Sequence, residues 1–197
     1  MKYLKLFENH QTEAEVAEIC KTYGIENWSL NKDGLVDIDG DVSLVSKNLE
    51  SIPLKFGHVT GFFDLDKNYL TSLKGSPHTV GDYFSCDNNK LTSLEFSPKS
   101  VTSFFWCEKN NIRSFEGLEN IGEYFYCIYN PVYEIWKIIN LSIDQTTSMI
   151  WDSEKMEFFN DLDIIRGEEI AIERFNFFLE EIGLSTVEKV EGYKNIY

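Results

Sequence analysis

Three of the four cysteines, Cys86, Cys107 and Cys127, stand 21 and 20 residues apart, and the same period organises the middle of the chain. Self-similarity at this length constrains a fold more than composition does, because each unit then carries an apolar face that only a neighbouring copy can cover. Aligned at that period, Leu44, Leu65, Cys86, Cys107 and Cys127 form one column. Leu49, Leu70, Leu91 and Ile112 form a second, and Ile52, Leu73, Leu94 and Phe115 a third. Asn68, Asn89, Asn110 and Asn130 each follow the cysteine column by three residues. Pro77 and Pro98 recur, as do Val59, Val80 and Val101, with Ile121 one residue early where the last unit is shortened. The first unit, around Leu44, places Lys47 at the asparagine position, as suits a terminal unit that faces a cap.

Within a unit, Tyr83-Phe84-Ser85-Cys86 reads as a short strand with alternating faces, and Asn89 follows where the chain leaves it. An asparagine there can satisfy backbone groups of the adjacent turn and so build a ladder up the stack. Leu91 and Leu94 return inward before Ser97-Pro98 ends the unit. The form x-F-x-C-x-x-N-x-L-T-S-L, seen from Tyr83 to Leu94 and echoed at Phe62 to Leu73, Phe104 to Phe115 and Tyr124 to Asn130, resembles the leucine-rich repeat in its short bacterial variety of about 20 to 22 residues. More narrowly, the chain is similar to the small leucine-rich-repeat proteins encoded by tailed bacteriophages. In those, a helical N-terminal cap, an entry like Ile38-Asp39-Gly40-Asp41-Val42 and a C-terminal helical piece flank a few cysteine-bearing repeats. The resemblance implies an α/β solenoid, a short leucine-rich-repeat array with a parallel concave sheet. It implies no catalytic residues, and it suggests a phage-encoded protein directed at a host factor, a class that includes defence proteins.

Outside the periodic segment the signals are helical. Thr12 with Glu15 forms a capping box, Val16, Ile19, Cys20 and Tyr23 mark one face, and Gly24 ends the pattern, which predicts a helix over 13–23. Asn27 to Leu30 and Leu35 to Ile38 flank Asn31-Lys32-Asp33-Gly34 and read as a hairpin. Past Asn130, Pro131 opens a helical pattern over Val132 to Ile139. Asp152 and Ser153 precede a second pattern carrying Met156, Phe159, Leu162 and Ile165, and Glu168 to Ile182, stopped by Gly183, reads as a third. The tail from Ser185 to Tyr197 fits either an extra strand or a segment lying along the helices. These boundaries divide the chain into an N-terminal cap (1–41), a periodic array of four to five units (42–130) and a C-terminal helical cap (131–197).

Charge narrows the function. Of 197 residues, 33 are acidic and 18 basic, a formal charge of -15, which opposes direct binding to phosphate backbones or anionic membrane surfaces. Hydrophobic residues at 43% and aromatics at 15% are too many for a disordered acidic tail. The start, Met1 to His10, lacks the apolar run of a secretory signal, and no later stretch approaches a transmembrane helix, so a cytoplasmic protein is expected. Cys20, Cys86, Cys107 and Cys127 include no CxxC pair and are expected to stay reduced, and the sequons at Asn27-Trp28-Ser29 and Asn140-Leu141-Ser142 then carry no meaning. Residues 131–197 hold 14 acids and 6 bases, more than half of the net charge, either as a solvated face or as a contact site.

With Phe84 and Cys86 pointing inward, four columns point outward from the strands: Phe62, Tyr83, Phe104 and Tyr124; Asp64, Ser85, Trp106 and Tyr126; Asp66, Asp87, Glu108 and Ile128; and Lys67, Asn88, Lys109 and Tyr129. The expected partner-binding residues are Trp106, Tyr126, Tyr129, Tyr124 and Phe104 with Asp66, Asp87 and Glu108, because aromatics supply large contact area at small entropic cost. Aromatic laddering between adjacent strands is the purely structural alternative, at about 0.2–1 kcal/mol per pair. Asp66, Asp87 and Glu108 place like charges on neighbouring strands about 4.8 Å apart, which a cationic partner, bound calcium or nearby Lys67 and Lys109 would relieve. Packing of the cysteines as small apolar fillers is expected over a thiolate metal site, and neither a metal nor another cofactor is expected. His58 and His78 are expected on solvent-facing turns. The leading expectation is a non-enzymatic binding protein that contacts a protein partner through its concave aromatic and acidic face. Two rivals are an acidic nucleic-acid mimic that blocks a DNA-binding protein, and an enzyme using Asp161, Asp163, Glu168 and Glu169.

Overall fold

The computed structural model describes residues 11–139 and 153–197. The N-terminal Met1 to His10, the sequon at Asn140 and the helix-start residue Asp152 lie outside the described residues. Helix α1 spans Glu13–Tyr23 and closes with the capping box: Glu15 N–H donates to Thr12 Oγ1 while the Glu15 carboxylate accepts from the Thr12 amide. Such a cap is worth about 1 kcal/mol. Gly24, at φ 69°, takes the left-handed conformation that ends the helix. The hairpin follows as antiparallel β1 (Trp28–Leu30) and β2 (Val36–Ile38).

From there the chain alternates between two sheets. The strands are β3 (Val42–Ser43), β4 (Phe56–Val59), β5 (Phe63–Asp64), β6 (Thr79–Val80), β7 (Phe84–Ser85), β8 (Ser100–Val101), β9 (Phe105–Trp106), β10 (Asn120–Ile121) and β11 (Phe125–Tyr126). One sheet runs β1-β2-β4-β6-β8-β10 and the other β11-β9-β7-β5-β3, parallel throughout except for the entry hairpin. Register follows the sequence period, so Phe63 pairs with Phe84, Phe84 with Phe105 and Phe105 with Phe125. The sequence reading has one parallel sheet. The second arises from the valine columns, whose two-residue strands are too short for alternation to reveal. His58 belongs to it: it is exposed, but it sits in β4 with its ring Nδ1 2.5 Å from Thr79 Oγ1, not on a turn.

Between the sheets lies a core of Phe63, Phe84, Phe105 and Phe125, the column Leu44, Leu65, Cys86, Cys107 and Cys127, and Leu70, Leu91 and Ile112. The four cysteines are free and buried, and burial pushes the thiols of Cys86, Cys107 and Cys127 well up. Neutral thiols of this kind pack as apolar filler. The asparagine ladder runs beside them. Asn89 Nδ2 donates to Cys86 O in its own unit and to Leu65 O in the preceding one, while its Oδ1 accepts from Leu70 N–H. Asn68, Asn110 and Asn130 repeat the pattern. The turn itself needs a left-handed residue: Ser46, Lys67, Asn88, Lys109 and Tyr129 have φ between 52° and 63°.

The last unit is covered by α2 (Val132–Ile139), whose Trp136 lies 5.4 Å from both Phe115 and Phe125. Then come α3 (Ser153–Asp161), β12 (Ile165–Arg166), β13 (Glu169–Ala171), α4 (Ile172–Glu181) and β14 (Lys194–Ile196). The third helical pattern is therefore shorter than its sequence suggests. Its first residues form β13, which pairs with β12 across Gly167 and with β14 from the tail. Strand pairing with a distant segment overrides local helical spacing there. Arg113 ties the tail to the array: it donates to Gly192 O, and the buried Tyr193 hydroxyl donates to Arg113 O. The whole has α/β character, with parallel strands and short helices.

Candidate partner-binding face

The outward side of the five-stranded sheet carries three side-chain columns at positions set by the pleat. Nearest the corner between the sheets stand Phe62, Tyr83, Phe104 and Tyr124, all half-buried. Their rings meet in two pairs: Phe62 and Tyr83 stack at 4.8 Å between centroids, and Phe104 and Tyr124 at 5.6 Å. The next column bridges them. Trp106 meets Tyr83 edge-on at 5.0 Å and stacks on Phe104 at 5.2 Å, while Tyr126 lies 6.0 Å from Trp106 and 6.4 Å from Phe104. Six rings thus form one continuous surface across four strands. Offset and edge-on pairs of this kind are each worth about 0.5–1.5 kcal/mol beyond burial.

Phe104, Trp106, Tyr124 and Tyr126, expected from the sequence to bind a partner, all belong to this surface. Phe62 and Tyr83 belong to it as well. Column membership alone gives their neighbours along the stack, and what it misses is the diagonal reach of Trp106 across to Tyr83. Tyr129 lies elsewhere. It stands at the left-handed turn, is 70% exposed, and has the Lys109 ammonium 5.9 Å from its ring.

Acids run along both margins of the aromatic surface. On the far side are Asp66, Asp87 and Glu108, each half-buried. Asp66 Oδ1 accepts from the Ser85 hydroxyl and from Asp87 N–H, and Asp87 Oδ1 accepts from Glu108 N–H. These carboxylates therefore satisfy backbone amides of the next unit, a structural task the sequence pattern does not disclose. Asp64 caps the Asp66 amide in the same way within its own unit. On the corner side are Asp41, Asp82 and Glu123, all exposed.

The electrostatics follow from this crowding. Burial, then the Asp66 charge, pushes the Asp87 carboxyl up to about 7, and burial raises Asp64 to about 6. Burial also raises Glu108, opposed by Lys109. The Tyr83 hydroxyl is raised by burial and then by Asp64, Asp82, Asp41 and Asp66, and that of Tyr126 by burial, Tyr124, Glu108 and Glu123. Among the described residues, no group of three or more His, Cys, Asp or Glu side chains is arranged to hold a metal ion.

The acids of the C-terminal region are differently placed. Asp163 pairs with Arg166 and with Arg174 at 3.2 Å, Glu169 with Lys194 at 2.5 Å, and Glu168 with Arg113 at 3.4 Å, while Asp161 is exposed. Hydrogen bonding to Arg166 lowers Asp163, and hydrogen bonding to Lys194 lowers Glu169. These are surface ion pairs of modest stabilisation, and lowered carboxyls of this kind are poor proton donors. No helix among the described residues is long and apolar enough to cross a membrane. Compared with models of known protein families, with curated proteins and with solved structures, the chain matches none.

Proposed function

We propose that the chain is a leucine-rich-repeat solenoid of the small phage-encoded type, acting as a non-enzymatic, cytoplasmic protein-binding module. Its contact surface is the aromatic and acidic face, and its target is a host factor. The observation that carries this reading is the continuity of the six rings across four strands. Laddering would require contacts only along each column, yet Trp106 crosses between columns to join them into a patch. Patches of Tyr and Trp held rigid by one another are the kind of surface that forms the centre of protein interfaces.

The test is capture from native or infected lysate, comparing the wild-type chain with the double variant Trp106→Ala plus Tyr126→Ala. Loss of the captured partner by a double variant that still unfolds cooperatively, at a midpoint lowered by the lost ring pairs, is the expected result. A partner retained by the double variant overturns the reading. Loss of capture only on Glu168→Lys plus Glu169→Lys moves the contact to the C-terminal region.

A further inference from the structure

Two columns of rings cross the five-stranded sheet, Phe62, Tyr83, Phe104 and Tyr124 in one and Trp106 and Tyr126 beyond Asp64 and Ser85 in the next, and acids stand on both sides of them, interrupted by Ser103 on the corner side and ending at Ile128 on the far side. Asp82 and Glu123 immediately precede Tyr83 and Tyr124, and Asp66, Asp87 and Glu108 lie beyond the Trp106 column. The rings therefore form a strip between two negative margins, with Lys67 and Lys109 as the nearby cations among the described residues. An apolar strip flanked this way matches a partner of particular chemistry: side chains with a flat, delocalised positive head that stacks on a ring and reaches sideways to a carboxylate. Guanidinium has that shape, whereas an ammonium is a compact, strongly hydrated point charge.

Two further features fit. In the bonds that cap backbone amides, Asp66 and Asp87 each use Oδ1, so each carboxylate keeps a second oxygen for a donor. The strip also crosses four strands, about 14 Å at the usual strand spacing, and same-side residues of an extended chain recur about every 6.6 Å. It thus accommodates two or three alternate residues of one extended segment.

We infer that this strip receives an extended, arginine-bearing segment of a partner protein, each guanidinium stacked on the Tyr83, Trp106 or Tyr126 ring and bonded to a carboxylate of the flanking margin. This rests on the reading of the face as a protein-binding surface and adds the chemistry of what it binds. The probe is a short fluorescein-labelled peptide of alternating arginine and serine, titrated with the full chain and read by anisotropy. Matched lysine–serine and glutamate–serine peptides and spermine serve as competitors.

The arginine peptide is expected to bind and to outcompete the lysine peptide and spermine. Trp106→Ala, Tyr126→Ala, and the pair Asp66→Asn with Asp87→Asn are each expected to weaken binding about tenfold. Glu168→Lys plus Glu169→Lys is expected to leave it unchanged. In the Asp66→Asn with Asp87→Asn pair each new amide keeps an oxygen to accept from the Asp87 and Glu108 N–H groups, and thermal melts check that every variant stays folded.

Arginine-peptide binding indifferent to the face substitutions overturns the inference, as does equal affinity for lysine peptide or spermine. If the peptide fails to bind while lysate capture still depends on Trp106 and Tyr126, the inference falls and the protein-binding reading stands. If capture is also indifferent to both residues, both fall.

Discussion

Asn89 joins three segments distant in sequence, through donors to Leu65 O and Cys86 O and an acceptor for Leu70 N–H. Removing the side chain orphans several backbone groups at once, and Asn89→Ala is expected to cost about 3 kcal/mol. Urea unfolding measures it, and a loss below about 0.5 kcal/mol would mean that water replaces the amide. Phe96 presents the opposite case. Its column holds Gly75 and Gly117 at φ 106° and 97°, yet Phe96 stands there at φ 68° with its ring half in solvent. An L side chain in the left-handed region costs roughly 1–2 kcal/mol. Phe96→Gly is therefore expected to raise stability by about 1 kcal/mol after the extra freedom glycine gives the unfolded chain. An unchanged urea midpoint would show that the exposed ring makes compensating contacts.

Strand by strand, the acidic margin makes the molecule sensitive to pH. The folded Asp87 holds its proton up to about pH 7, whereas an unfolded aspartate releases it near pH 4. Between those values the native state binds more protons, so the contribution of Asp87 to stability is fully present at low pH and is lost as pH rises towards 7. Asp64 acts in the same direction up to about 6. Asp87→Asn is expected to be more stable than wild type at pH 8, with the advantage vanishing as pH approaches 4. Thermal melts across that range check it, and an advantage independent of pH would mean that the native Asp87 stays ionised.

The same margin shows which parts of these elements the sequence discloses. Spacing alone places Asp66, Asp87 and Glu108 on one column, because period and pleat are both visible in it. The capping of amides one unit ahead by Asp66 and Asp87 is not visible, because it depends on the rotation between stacked strands. Nor does β13 show locally, since Glu169 to Ala171 becomes strand only through pairing with β12 and β14.

From unit to unit the strand register and the asparagine bonds repeat by translation, while the core phenylalanine pairs recur with a ring tilt that grows from 2° to 51° along the array. Deleting residues 71–91 joins Leu70 to Thr92 and restores the Leu-Thr-Ser-Leu stretch of the unit it removes. That variant is expected to unfold cooperatively with an unchanged far-UV profile shape. Deleting residues 74–91, three short of a period, leaves every later column out of step and is expected to give loss of cooperativity. Equal behaviour of the two variants would show that the array tolerates slippage. A step of one residue is absorbed at both ends of the array, in the shortened last unit beside α2, where Cys127 follows Cys107 by 20 residues, and in the β2–β4 pairing, where the register shifts between Val36 and Ile38. Size in such a chain is a count before it is a length: a copy added or removed at the sequence period widens or narrows the aromatic strip by one ring-bearing row.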